Sequence, residues 1–173
     1  SWQPDEDLFI EYFNQHPEVK LIIAPHVIDE NHLVEIIRKL KRPYVRYTRA
    51  DEKNVRKADC LIIDCFGLLS SIYRYGEIAY IGGGFGVGIH NTLEAAVYGI
   101  PVIFGPKYQK FQEAIRLLEA KGGFSIKSYE ELKALLDRML EDEEFLRESG
   151  MNAGLYVTDN AGATDKVLNM INF

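Results

Sequence analysis

Six short apolar runs punctuate the chain, and between them hydrophobic residues recur at helical spacing. The runs are Val19 to Ala24, Tyr44 to Tyr47, Asp59 to Asp64, Ile78 to Ile81, Val102 to Phe104 and Phe124 to Ile126. They are continuous rather than alternating, the pattern of strands buried on both faces of a parallel sheet. Amphipathic stretches separate them. Leu8, Phe9, Tyr12 and Phe13 form one stripe, Leu33, Ile36, Ile37 and Leu40 a second, and Phe111, Ile115 and Leu118 a third. Pro4 with Asp5 and Glu6 marks a helix start, Asp29-Glu30-Asn31 a second, and Ser128 followed by Glu130 and Glu131 a third. A short helix is expected over Leu68 to Tyr75, and helical patterns continue over Phe145 to Leu155 and Thr164 to Phe173. Strands alternating with helices predict a doubly wound, Rossmann-like α/β fold of about six strands, one domain over residues 1–173.

Composition narrows the partners. The 173 residues carry a net charge of −6, which argues against nucleic acid, because duplex binding needs a basic face. Neither a signal peptide nor a transmembrane run is present in the sequence. Cys60 and Cys65 lie an odd number of residues apart, on opposite faces of a strand, so neither a disulfide nor a metal pair is expected. The chain enters its first helix with no strand before it, which suggests a portion of a longer protein.

The stretch Ile78 to Pro106 carries the chemistry. A strand leads into a glycine-dense loop, Gly82 to Gly88, then to a helix opening at His90-Asn91-Thr92 and a second strand. In such βαβ units the loop lets backbone approach an anion, and the helix amides point at it. The glycines fit neither GxGxxG nor a GK[ST] ending, which disfavours a dehydrogenase or a P-loop NTPase. Asn91 or Thr92 is placed to cap the helix, and Asn91 and Glu94, three apart, share a face. The expected division of labour gives the phosphate to His90, Asn91 and the amides from Gly84 through Gly86 to Gly88. Glu94 is either a contact to ribose hydroxyls or a surface acid that stabilises the helix dipole. Lys107, just past the second strand, is a solvated lysine or an anion contact. Pro25-His26 and Phe66-Gly67 follow two other strands and should approach the same ligand, with Phe66 or Phe85 flanking a base. Nothing in the chain reads as a nucleophile with its base, a metal cluster or a catalytic acid pair. The domain is expected to bind rather than to catalyse, with the base supplied from a partner domain.

His90-Asn91-Thr92-Leu93-Glu94-Ala95-Ala96, Ile100-Pro101-Val102 and Gly105-Pro106 together resemble the 3-deoxy-D-manno-octulosonic acid (Kdo) transferases. The resemblance covers nearly the whole chain and implies the C-terminal half of a GT-B glycosyltransferase. It implies CMP contacts at Pro25, His26, Phe66, Gly67 and Leu68 and over Asn91, Thr92, Leu93 and Glu94. Two departures stand out. Members commonly have Pro-Arg-His where this chain has Pro25-His26-Val27, and Gly-Glu-Leu where it has Gly67-Leu68-Leu69. By the same resemblance the enzyme moves Kdo from CMP-Kdo to a lipid A precursor, inverting the anomeric carbon without cofactor or metal. Its catalytic glutamate and membrane anchor would lie in an N-terminal domain outside this chain. The full-length protein would sit on the cytoplasmic face of the bacterial inner membrane, and the isolated chain would be inactive. Alternatives from the residues alone are a GT-B enzyme or epimerase using a UDP- or GDP-sugar, or a non-catalytic nucleotide-binding or docking module. A receiver-type domain is weaker still, since only Asp64 ends an early strand.

Overall fold

A computed structural model describes residues 1–171, with side chains through Asn160. It contains six strands, all paired in parallel, interleaved with helices. The strands form two three-stranded sheets rather than one hydrogen-bonded sheet of six, and the chain divides into two compact units, Ser1–Ser71 and Ile72–Phe173.

In the first unit, α1 (Gln3–Gln15) precedes β1 (Leu21–Ile23), α2 (Glu30–Lys39) precedes β2 (Tyr44–Arg46), and α3 (Glu52–Val55) precedes β3 (Cys60–Ile62). β3 is central, pairing Leu21 with Cys60 on one side and Tyr44 with Cys60 on the other. Ile10 and Phe13 of α1, Leu33 and Ile36 of α2, and Ile23 and Ile62 of the sheet bury one core. Asp29 caps α2 by accepting from His32 N–H, as its position predicts. α3 escaped the periodicity because one turn shows no stripe. Its signal is local: Asp51 accepts from the Lys53 and Asn54 amides while the Asn54 side chain accepts from Asp51 N–H, a full capping box.

Two features gave no signal in the sequence. Asp5 and Glu6 open α1 as predicted, yet both are buried instead of facing water. Glu6 Oε1 accepts from the Ser1 hydroxyl (2.8 Å) and lies 3.1 Å from His32 Nε2, tying α1 to α2. Arg42 clamps the end of α1: its guanidinium donates to the carbonyls of Phe13, His16 and Pro17 and covers the Phe13 ring at 4.0 Å. A guanidinium suits this because its planar fork meets several acceptors at once while its face stacks on an aromatic ring.

α4 (Leu69–Ile72) follows β3, and a 3-10 turn over Tyr73–Tyr75 leads into the second unit. There β4 (Ala79–Ile81), α5 (Leu93–Ala96), β5 (Val102–Phe104), α6 (Gln112–Glu119), β6 (Gly123–Ser125), α7 (Tyr129–Glu141) and α8 (Glu143–Ile171) follow in order. β5 is central, and all three of its residues are fully buried, as a continuous apolar run requires. Ser128 caps α7 through Glu131 N–H. The two helices expected at the C-terminal end are one element, α8, because nothing between Leu155 and Thr164 breaks a helix; Gly162 alone lowers propensity without ending it. The end of the predicted last helix, residues 172–173, lies outside the described residues. No helix among the described residues is long and apolar enough to cross a membrane.

Candidate functional site

The second unit builds its carboxyl edge from backbone. Leaving β4, the chain folds the glycine loop back on itself: Gly86 and Gly88 N–H both donate to Gly83 O at 3.0 Å, and His90 N–H donates to Gly82 O at 3.1 Å. Gly83 has φ +97°, and a Cβ there would come 2.2 Å from Gly88 O, so only glycine fits. Gly84 is confined differently. It packs against Gly105 at the end of β5, where a Cβ would lie 2.6 Å from backbone atoms. Two of the glycines predicted to offer amides to an anion thus spend them inside the loop. The amides of Phe85 and Val87 make no hydrogen bond among the described residues.

The helix that should complete the cradle is shorter than its sequence suggests. α5 is a single turn beginning at Leu93, directly after the expected opening at His90-Asn91-Thr92. Asn91 is the capping side chain: Oδ1 accepts from Leu93 N–H at 2.9 Å, and Nδ2 donates to Glu94 Oε1 at 3.2 Å. Thr92 occupies the cap position, yet its side chain makes no cap bond and is buried. One turn sums few peptide dipoles, so its field at an anion is small. Asn91 and Glu94 meet as the three-residue spacing predicts. Glu94 is half-buried, and its charge adds to the burial that pushes the Tyr73 hydroxyl up to about 12.

Beside this turn lies a cavity of about 330 Å³, lined by Ile89 to Leu93 and by Phe111 and Glu113. His90, Asn91, Thr92 and Leu93 are thus brought together around one space. Phe111 and Glu113 were not legible as site residues. Phe111 reads as part of the α6 stripe, but α6 starts one residue later, and the Phe111 ring sits beneath Gly88. A larger cavity, about 500 Å³, lies among α6, β6 and α7. Leu118, Phe124, Ile126, Ala134 and Leu135 give it an apolar wall with few converging polar groups, so the smaller one is the better candidate for a nucleotide.

The first unit holds its carboxyl edge with side chains. Asp64, at the end of β3, accepts from Thr48 N–H (2.9 Å), Thr48 Oγ1 (2.6 Å) and Arg46 Nε (2.9 Å). Arg46 in turn holds both oxygens of Glu30 from the first turn of α2. Burial alone would raise the Asp64 carboxyl; the bonds from Thr48 and Arg46 outweigh it and hold the group below the usual carboxylate range. This network anchors the segment that carries Phe66, Gly67 and Leu68. Phe66 is 83% exposed, and Gly67 has φ +88°. At the end of β1, Pro25 is buried and His26 is exposed. The His26 ring lies 4.4 Å from that of Trp2, and the His26 backbone N–H donates to Ser1 O. Trp2 as a neighbour of His26 gave no sequence signal, since the two lie on different elements.

Among the described residues no group of His, Cys, Asp and Glu is arranged to hold a metal ion. Cys60 and Cys65 are free, and burial pushes the Cys60 thiol up to about 12.

Sequence comparison links the chain to named proteins. It is 35% identical over 134 residues to the 3-deoxy-D-manno-octulosonic acid transferase of Aquifex aeolicus (strain VF5), a match over 76% of this chain and 36% of that one. It is 29% identical over 158 residues to the transferase of that name from Chlamydia muridarum (strain MoPn / Nigg), over 89% of this chain and 36% of that one. The chain therefore spans about a third of the length of these relatives. No protein-family model matches it. Among solved structures, the C-terminal CMP-Kdo binding domain of WaaA from Acinetobacter baumannii superposes with a TM-score of 0.77 at 19% identity, covering 91% of this chain and 85% of that one. The C-terminal domain of a group 1 glycosyl transferase, LpcC of Francisella tularensis, superposes at 0.60 with 17% identity over 90% of this chain and 77% of that one. The architecture is an α/β, Rossmann-like half of a GT-B fold, and the chain belongs to the family of the Kdo transferases.

Proposed function

We propose that this chain, residues 1–173, is the donor-binding domain of a glycosyltransferase that moves Kdo from CMP-Kdo to a lipid A precursor. The observation that carries the reading is the 35% identity over 134 residues to a Kdo transferase. The site chemistry supports it. A CMP-sugar presents one phosphate, and the glycine loop with its neighbouring cavity suits one anionic group better than two. The amides of Phe85 and Val87 and the His90 to Asn91 turn face the phosphate, and Glu94, held by Asn91, accepts from the ribose hydroxyls. In the reaction an acceptor hydroxyl attacks the anomeric carbon and inverts it. The carbon–oxygen bond to the phosphate breaks, CMP leaves with the electron pair, and the hydroxyl proton passes to a base outside this chain. Amides already oriented by the loop stabilise the departing phosphate without a metal. The longer protein works at the cytoplasmic face of the inner membrane, where its lipid acceptor is found.

The resemblance adds Pro25, His26, Phe66, Gly67 and Leu68 as further CMP contacts, with the exposed Phe66 ring free to stack on a base. An NMR titration with CMP, and with UMP and AMP as controls, tests the reading. Selective CMP shifts over Gly82 to Glu94, with separate responses at His26 and Gly67, are expected. Equal responses to all three nucleotides would remove the cytidine assignment, and silence at millimolar CMP would favour a docking module.

A further inference from the structure

Lys107 follows β5 by three residues and holds the glycine loop at two points. Its backbone N–H donates to Gly84 O at 2.9 Å, and its Nζ donates to Gly86 O at 3.1 Å. The first bond fixes the limb of the loop that rests on Gly105. The second sets an ammonium against the exposed tip, where Gly86 lies between Phe85 and Val87, the two residues with unengaged amides. Val87 is 86% exposed, so the tip is open to a ligand.

Glu94 and Glu113 carry the acidic groups, the Leu93 amide is taken by Asn91, and the one-turn α5 contributes little field. Among the described residues, Lys107 is the one whose ammonium bonds to the glycine loop. An ammonium has three N–H donors, and Gly86 O uses one. The other two remain for a ligand, so recognition needs no rearrangement of the loop.

A nucleotide-activated 2-ulosonic acid brings two anionic groups on one anomeric carbon, the ester phosphate and the sugar carboxylate. The loop amides account for the phosphate alone. We propose that Lys107 is a specificity residue that reads the carboxylate of an acid-sugar donor, distinguishing it from neutral sugar nucleotides. This rests on the reading of the glycine loop as the donor phosphate site. A neutral sugar would leave the ammonium in water at no loss, so discrimination comes from attraction to the acid form.

The test uses the 173-residue protein and three ligands: CMP, a non-hydrolysable CMP-Kdo analogue, and that analogue with its carboxylate converted to the carboxamide. Calorimetry on the wild type should give the carboxylate form about three- to tenfold tighter binding than the carboxamide, the range for an exposed charge-assisted bond. The preference should shrink as salt is raised. Lys107→Met should bring the ratio to one, with a smaller fall for CMP than for the carboxylate form, because the backbone bond to Gly84 survives the substitution. Lys107→Arg should keep a ratio above one. The amide spectrum of each variant checks that the loop is folded. An unchanged ratio in Lys107→Met, or an equal fall for all three ligands, overturns the assignment and leaves the donor reading standing. Wild-type protein that binds none of the three overturns the donor reading, and this inference with it.

Discussion

The two sheets end at carboxyl edges of opposite construction. In the first unit the edge is held by charged side chains: Asp64 gathers Thr48 and Arg46, and Arg46 reaches Glu30. In the second the edge is backbone on backbone, with Gly83 folded onto Gly88 and Gly84 laid on Gly105. A charge network tolerates shape changes but depends on pH and on every partner being present. A glycine fold is indifferent to pH and tolerates no added atom. The second suits an anion site, because backbone amides are brought close to a ligand without side chains intervening.

The sharpest way to break this comparison is a single methyl group. Gly83→Ala combines a left-handed backbone with a Cβ 2.2 Å from Gly88 O, and about 3 kcal/mol of stability should be lost in urea unfolding. An alanine on the first edge, at the exposed Phe66, should change stability by less than about 0.5 kcal/mol.

Removing a charge probes the other side. Arg46→Met leaves the buried Asp64 without its cation and should cost about 2 kcal/mol, read by the same unfolding experiment. CMP shifts over Gly82 to Glu94 should be retained in that variant, provided it is folded.

Glu94→Ala is expected to do the reverse. Its partner Asn91 lies in the exposed turn, so stability should hold while CMP affinity falls about tenfold by calorimetry. Unchanged affinity in a folded variant would take the ribose away from Glu94.

The smallest effect is in pH. The Asp64 carboxyl titrates lower in the folded chain than in the unfolded one, so its contribution is complete above the ordinary aspartate value, near about pH 4. It is lost as pH falls through the lower folded value. Asp64→Asn should therefore flatten the acid limb of the stability curve. An unaltered limb would move acid sensitivity to other carboxylates.

Legibility followed the range of the forces involved. Continuous apolar runs announced all six strands, because burial on both faces leaves no polar alternation, and Leu21–Ile23, Cys60–Ile62 and Val102–Phe104 fall inside their predicted runs. Asp29 and Ser128 were readable as caps because a cap acts within three residues. The meeting of Asn91 with Glu94 was readable for the same reason. The burial of Glu6 was not, since its partner His32 comes from another helix. Nor was the length of α5: a helix predicted from its start alone has no local rule for where it stops.

By itself the sequence determined the parallel α/β architecture, the position of the glycine loop and the kinship with Kdo transferases, all properties of local pattern. Only the tertiary structure decided which loop amides are already engaged, that Phe111 and Glu113 line the cavity, and that Lys107 reaches Gly86. Those depend on distances between segments remote along the chain, and such distances are set by packing, which no local pattern encodes.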